Sequence, residues 1–460
     1  MIPAPRHKSA VGRHTLSVRQ TLQAVLDDDA VHLLGAAIPL PPRDHGGVRR
    51  HNPGWVLVLF NVMVRRCGTA VQAEAELSDP ALWAAVYDTA RRRYPDDPTM
   101  WPLKNEPVKR WHWAYIKKRY LKDLAFIEAL NDIGEQHAVD QATALGLCTD
   151  TAGGSLTHPS PNRVIQADAT TITPHNKPPR EDTKPNPRYH TVDAHLQRHG
   201  DAWHHGTDWI LAATRGDERN RRIILGIDYL PPSGDEGHQA VRLLDRLVRR
   251  LPGTQVAVYD GKLRGVHLRT LMRDTGVLGI ARQTHAPGGN APEHPLGRVP
   301  VTGGRRPTVD IHLIWGHPHI VDHDIDGNAK PVQLDRIRIL RRTSKKRHRF
   351  YGEYAVPDRF GGGHIRLRLT SDDTDEANGF NREEHLRAIS RLDPDNRRTY
   401  GRRNDTEALN SLVDYCLPNG RAHSVSVAGI FMDLICFRVW RNAIAATLDG
   451  LPPPDDPRAA

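Results

Sequence analysis

The sequence predicts an α/β fold: a mixed sheet flanked by helices, preceded by a helical domain and interrupted by a β-rich subdomain. Three observations predict it. Apolar residues recur at three-to-four spacing from about residue 15 to 145. From about residue 160, β-prone and helical runs follow in the order strand, strand, strand, helix, strand, helix. Between about 308 and 370, Ile or Leu alternates with Arg in period two.

The helical part, residues 1 to 150, rests on LSVRQTLQAVLDDDAVHLL, TAVQAEAELSDPALWAAVYDTARRRY and LKDLAFIEALNDIGEQHAV. Between them, VKRWHWAYIKKRYL mixes Trp and Tyr with Lys and Arg. That pattern suits contact with a nucleic-acid backbone, and it equally suits an amphipathic helix with its cations in water. Whether these helices bind DNA ends or mediate dimerisation stays open. Turn formers cluster at TDTAGGSLTHPSPN, the expected boundary.

The sheet core is expected over 160 to 285. RVIQADATTI is the first strand, and the proline-rich TPHNKPPREDTKPNPRYH a long loop after it. DWILAATRG and RRIILGIDYLP form a hairpin, DEGHQAVRLLDRLVRRL a helix, TQVAVYDGK a strand and VHLRTLMRDTG a second helix. Three antiparallel strands, a crossover helix and a fourth strand laid parallel beside the first is a ribonuclease H-like arrangement. THAPGGNAPEHPLGRVPVTGGRRP reads as a linker, and residues 305 to 375 as the β-rich insertion. Residues 380 to 450 complete the core with a catalytic helix, and 451 to 460 form a disordered tail.

The chain has 460 residues, room for two or three domains. With 64 basic and 54 acidic residues its net charge is +10, which suits a polyanionic partner. Four scattered cysteines argue against a zinc ribbon or a disulfide framework. No apolar run suffices for a membrane span, no secretory h-region follows the basic N-terminus, and a cytoplasmic, nucleoid-associated location is expected.

Three words carry chemistry. Asp168 in QADAT and Asp260 in VYDGK close β-prone runs, and Glu407 stands in a helical stretch, YGRRNDTE. Strand pairing would set Asp168 and Asp260 side by side with Glu407 across the sheet. Such carboxylates are hard oxygen ligands for a pair of Mg²⁺ or Mn²⁺ ions in phosphoryl transfer. Tyr400, Arg403 and Glu407 fall at i, i+3 and i+7, on one helix face, with Asp405 pointing elsewhere. Asp228, in ILGIDYLP, is a rival acid. Lys262 and Arg264, just after the second aspartate, are candidate DNA contacts. So are Lys345, Lys346 and Arg347, in the run RRTSKKRHR at an expected hairpin tip. The histidines of HPHIVDH, residues 317 to 323, read as packing rather than metal ligands.

The Y-(2)-R-(3)-E pattern behind two such aspartates resembles the DDE transposases of bacterial insertion sequences that carry a β-rich insertion domain. Asp260 follows Asp168 by 92 residues and Glu407 follows Asp260 by 147, room for that insertion. The resemblance covers about residues 160 to 445. It implies that Asp168, Asp260 and Glu407 are a metal-binding catalytic triad and that Tyr400 and Arg403 contact the element's end. It implies Mg²⁺-dependent 3′-end cleavage and strand transfer, with double-stranded DNA, both terminal inverted repeats and target, as partner and a homodimer on it. One position departs: where the family has a lysine seven residues after the glutamate, this chain has Asp414, with Arg421 or Lys262 as substitutes. An inactive DNA-binding descendant, and a nuclease without strand transfer, are the alternatives.

Overall fold

The computed structural model describes residues 16–40, 52–177, 190–199, 202–217, 221–285, 290–323, 326 and 328–449. The fold is mixed α/β, with helices and two sheets. The chain divides into two units, one of residues Met1–Lys122 with Cys436–Ala460, the other Asp123–Ile435. Helix Leu124–Ala144, which the sequence groups with the N-terminal helices, falls in the second unit.

The first unit is helical: α1 (Val18–Asp27), α2 (Ala30–Ala37), α3 (Gly54–Cys67), α4 (Ala70–Leu77), α5 (Pro80–Arg93) and α6 (Arg110–Arg119). The continuous periodicity of TAVQAEAELSDPALWAAVYDTARRRY breaks at Asp79, which caps α5 through the N–H groups of Ala81 and Leu82, with Pro80 in the first turn. Helix α3 is buried from Gly54 to Arg65 and is the core of this unit; no single described helix is long and apolar enough to cross a membrane. A Cβ on Gly35 would lie 2.2 Å from the Trp55 nitrogen, and one on Gly54 2.2 Å from the Gly35 oxygen, so only glycines allow α2 and α3 to approach this closely. In α6 the interleaved cations and aromatics resolve into two sides. His112, Trp113 and Ile116 are buried, while Trp111 is exposed and the Arg119 guanidinium lies over the rings of Tyr115 and Tyr120.

The second unit holds α7 (Leu124–Ala144) and the first sheet: β1 (Val164–Ile172), β2 (His195–His199), β3 (Ala202–Arg215), β4 (Arg222–Leu230), β5 (Val256–Tyr259) and β6 (Leu278–Ala281). β3, β1, β5 and β6 are neighbours in that order, and both β2 and β4 pair with β3. β1, β3 and β4 are antiparallel neighbours, whereas β5 runs parallel to β1 and β6 parallel to β5. Helix α8 (Glu236–Arg250) leads from β4 to β5, and α9 (Gly265–Thr275) from β5 to β6. β1 is buried without a break from Val164 to Asp168, and β4 from Ile223 to Asp228. Strands covered on both faces lose their period-two pattern and read as apolar runs.

The second sheet runs β7 (Glu293–Thr302), β8 (Thr308–Ile314), β9 (His317–His323), β10 (Ala329–Gln333), β11 (Arg336–Ser344), β12 (Arg347–Ala355) and β13 (His364–Arg368), in the order β10, β9, β8, β7, β13, β12, β11. It starts earlier than the sequence suggests. β7 passes through the Pro/Gly-rich stretch read as a linker, and its ladder with β8 shifts register between Pro295 and Gly297, a bulge that accommodates proline. One apolar cluster joins Val164, Val256 and Val258 of the first sheet to Ile311, Phe350, Ile365 and Leu367 of the second. The short helices α10 (Asp373–Ala377), α11 (Arg382–His385) and α12 (Asn396–Thr399) then lead to α13 (Arg403–Cys416) and α14 (Val427–Asp449). Four expectations lie outside the described residues: most of the proline-rich loop (178–189), the tip of the β3–β4 hairpin (218–220), the tail (451–460), and the side chain of His323.

A buried carboxylate site on the first sheet

Two strands set the aspartates level. In the parallel β1–β5 ladder, Gln166 is opposite Val258. Two residues further along each chain stand Asp168 and Asp260. The sequence places Asp168 at a strand end, but β1 continues through Thr170, Thr171 and Ile172, which stay in register with β3 as far as Thr207. Asp168 is therefore a mid-strand residue and is buried. Asp260 directly follows β5, and its Oδ1 accepts the Lys262 N–H at 2.8 Å, the local turn expected of Asp-Gly.

The third acid arrives from α13. Tyr400 opens a short 3₁₀ turn with helical backbone angles that runs into α13, so the face shared by Tyr400, Arg403 and Glu407 is kept. Arg403 Nη1 donates to Glu407 Oε1 at 2.6 Å, and its Nη2 lies 3.7 Å from Asp168 Oδ1. One turn further, Asn410 Nδ2 donates to the Ala169 carbonyl at 3.2 Å and reaches Asp168 Oδ2 at 3.4 Å. Asp405 points away, as its spacing implies. It accepts Arg215 Nε at 2.6 Å and Arg222 Nη2 at 3.1 Å, pinning α13 to β3 and β4.

Burial pushes the Asp168 carboxyl up to about 7; Arg403 opposes the shift, while Asp260, Glu407 and Glu236 add to it. These charges thus share one neighbourhood. Glu236, at the start of α8, is the acid that sequence reading misses. Its carboxyl is raised, first by burial and also by Asp260, and it accepts the Tyr259 hydroxyl at 3.2 Å and lies 3.5 Å from Lys262 Nζ. Among the described residues the buried Tyr400 hydroxyl has no hydrogen-bond partner, and its ionisation is held up chiefly by burial, with Arg403 and Arg282 opposing and Asp260 and Asp168 adding.

The structure brings together Asp168, Asp260, Glu407, Tyr400, Arg403 and Lys262, and adds Glu236 and Asn410. Arg264 is nearby in sequence but exposed, with Nε 3.2 Å from Glu384 Oε1. Lys345, Lys346 and Arg347 are on another element, the β11–β12 hairpin tip of the second sheet. Asp228 belongs elsewhere: Arg246 Nη2 donates to it at 2.7 Å and Gln239 Nε2 at 2.8 Å, beside Glu135. Asp414 is exposed at the surface of α13, with partial desolvation raising its carboxyl, and Arg421 is directed to the Pro174 carbonyl at 3.3 Å. His317 is a packing residue, bonded to Ser390 Oγ at 2.8 Å and the Leu334 carbonyl at 2.7 Å.

Two donor sets bear on cations. Asp168, Asp260 and Glu407, with Glu236 beside them, are all carboxylates, one of them poorly solvated and drawn to a guanidinium. That set suits a hard divalent cation such as Mg²⁺ or Mn²⁺. Asp235, His238 and His267 also converge, with ligand atoms within 4.8 Å of one another. There, however, His267 Nδ1 accepts the Arg264 N–H at 3.1 Å. The neutral ring then carries its proton on Nε2, facing Asp235, and that nitrogen is no metal ligand. The cluster caps α8 and α9.

No family model matches the chain, and no curated protein sequence matches it. Among solved structures it is similar to that of a piggyBac transposase synaptic complex with hairpin DNA, with a TM-score of 0.28 and 9% identity over 95% of this chain and 82% of that one. At that score neither a fold nor an activity follows from the likeness.

Proposed function

We propose that the chain is a DNA transposase of the DDE type with a ribonuclease H-like core, acting on the ends of a bacterial insertion sequence. One observation carries this reading: Asp168 of β1 is level with Asp260, which directly follows the adjacent parallel strand β5, while Arg403 of α13 spans Asp168 and Glu407. The strand order β4, β3, β1, β5, β6 supports the core assignment. Asp168, Asp260 and Glu407 would hold Mg²⁺ or Mn²⁺. When bound, such ions supply Lewis-acid activation of the attacking oxygen and charge neutralisation at phosphorus.

The chain's own residues do the rest. In the first step water supplies an oxygen to the phosphorus at the element's end, and the P–O3′ bond breaks to leave a 3′-hydroxyl. In the second, that hydroxyl oxygen bonds to a target phosphorus and displaces the target's own 3′ oxygen, so bonds made and broken balance. Arg403, which spans Asp168 and Glu407, would grip a phosphate through its planar fork. Tyr400 offers its unpartnered hydroxyl to the same strand, and Asn410 fixes the Asp168 rotamer. Lys262, whose Nζ lies 3.5 Å from Glu236, would take the role of the lysine that Asp414 replaces. A homodimer holding two DNA ends follows from the need to join both.

The test is cleavage and joining on DNA carrying the gene's own flanking sequences, in Mg²⁺ or Mn²⁺, with wild type beside Asp168→Asn and Glu407→Gln. Loss of both steps in both variants supports the reading. Cleavage without joining makes the chain a nuclease. Binding without cleavage makes it an inactive DNA-binding descendant, the reading that Asp414 favours.

A further inference from the structure

The second sheet has an outer face whose charge nothing in the carboxylate site requires. In the β11–β12 ladder Arg342 is opposite Arg349, Ser344 opposite Arg347 and Leu340 opposite Tyr351. In the β12–β13 ladder Tyr351 is opposite Arg368, and Glu353 opposite Arg366. Residues opposite one another share a face, so Arg338, Arg342, Arg347, Arg349, Arg366 and Arg368 lie on one side. The other side carries Ile339, Phe350, Ile365 and Leu367 into the core.

Some of these cations are neutralised: Glu353 binds Arg338 and Arg366, and Asp372 binds Arg368. The rest are not. Among the described residues, Arg342, Lys345, Lys346, Arg347 and Arg349 are exposed and have no carboxylate within ion-pair distance. Arg342 instead lies over the Tyr351 ring, 5.5 Å from its centroid. Beside the tip, Lys345, Arg347 and Arg349 line a cleft of about 300 Å³ that Asp373 and Glu376 also line, together with Arg269 and Arg273 of α9, which are paired with Glu376 and Asp274.

Two features of this hairpin oppose stability. Like charges directly opposite in an antiparallel pair repel, and Arg342 faces Arg349. The two-residue turn needs left-handed backbone at both positions, which favours Asn-Gly. Here it is built from Lys345 at φ 49° and Lys346 at φ 60°. A cheaper sequence for the same hairpin would relieve both. Cations held at a stability cost, unneutralised and spread along a sheet face, match a polyanion whose charges repeat along a line.

We propose that the outer face of β11–β12, from Arg342 and Arg349 to the Lys345–Lys346 tip, is a seat for the phosphate backbone of double-stranded DNA, separate from the carboxylate site. Binding there is independent of base sequence, because its cations carry charge without a base-reading geometry. It extends the contact of a bound duplex beyond the residues that meet the scissile phosphate.

The experiment uses the full chain in chelator, so no cleavage occurs and the outcome is independent of the transposase reading. Fluorescence anisotropy of a labelled random-sequence duplex of about 30 base pairs is titrated across about 50 to 200 mM KCl. Wild type is compared with Arg342→Thr/Arg349→Thr and with Lys345→Asn/Lys346→Gly, alongside thermal melts. Each phosphate contact contributes ~0.9 to the slope of log K against log salt, so each pair should lower the slope by about 2 and weaken binding about tenfold or more. Both variants should also melt at or above the wild-type temperature, because repulsion or backbone strain is removed. Unchanged slopes in both variants, or an arginine-dependent slope for duplex RNA with none for DNA, would overturn the proposal.

Discussion

Arg403 donates to Glu407, four residues on, at 2.6 Å while its other terminal nitrogen lies 3.7 Å from Asp168 on β1. A single guanidinium on a helix thus ties two acids 239 positions apart in the chain. Removing it leaves those acids facing each other with no cation. Arg403→Ala should lower single-turnover DNA cleavage at saturating Mg²⁺ by about 100-fold, the scale seen when one transition-state donor is lost. Arg403→Lys should recover only part of this, since a point charge cannot span both sites as the fork does. Equal rates for Arg403→Ala and wild type would remove Arg403 from the reaction.

Asp168 makes the metal-free protein's stability depend on pH. Its carboxyl is raised from the ordinary 3.8 to about 7, chiefly by burial. The folded chain therefore holds this proton more tightly than the unfolded chain does. The contribution is fully present below about pH 4 and is lost as pH rises through about 7. Asp168→Asn keeps a neutral side chain at every pH. In chelator it should gain on the order of 2–4 kcal/mol over wild type near pH 8 and little near pH 4, read by urea unfolding. Adding Mg²⁺ at the higher pH should stabilise wild type and not the variant.

Glu236 is expected to tune the site rather than define it. Its carboxyl is held by the Tyr259 hydroxyl and by Lys262, and shares the neighbourhood of Asp168 and Asp260. Glu236→Gln keeps shape and removes one charge. Cleavage should fall about tenfold at limiting Mg²⁺ and recover as Mg²⁺ is raised, whereas Asp168→Asn should not recover. A loss that Mg²⁺ cannot reverse would place Glu236 among the triad's equals.

Arg246 holds a structural network away from the site. It donates to Glu135 at 2.8 and 2.9 Å and to Asp228 at 2.7 Å, and both acids are buried. Arg246→Ala should cost about 3 kcal/mol, because two buried carboxylates lose their main partner. Asp228→Asn should leave the metal dependence of cleavage unchanged. A shifted Mg²⁺ titration in that variant would return Asp228 to the candidate ligands.

The sequence alone determined the local elements whose periodicity is set by neighbours in the chain. The helical face of Tyr400, Arg403 and Glu407 follows from 3.6-residue spacing, and the Arg-rich outer face of β11 and β12 from period two. Asp168 and Asp260 were legible because each interrupts an apolar run, and the β-branched Thr170, Thr171 and Ile172 carry β1 past Asp168 in register with β3. The tertiary structure decided which acids meet. Asp228 and Asp168 look alike in sequence, yet one faces Arg246 and the other faces Glu407, Glu236 and Asp260. Glu236 and Asn410 carry no local mark of their place, and α7 joins the second unit through Asn131, which donates to the Ile227 carbonyl of β4 at 3.0 Å. The physical reason is common to all three. A helix or strand is specified by residues a few positions apart, whereas the field at a buried carboxylate is the sum of charges that only the packed chain brings within reach.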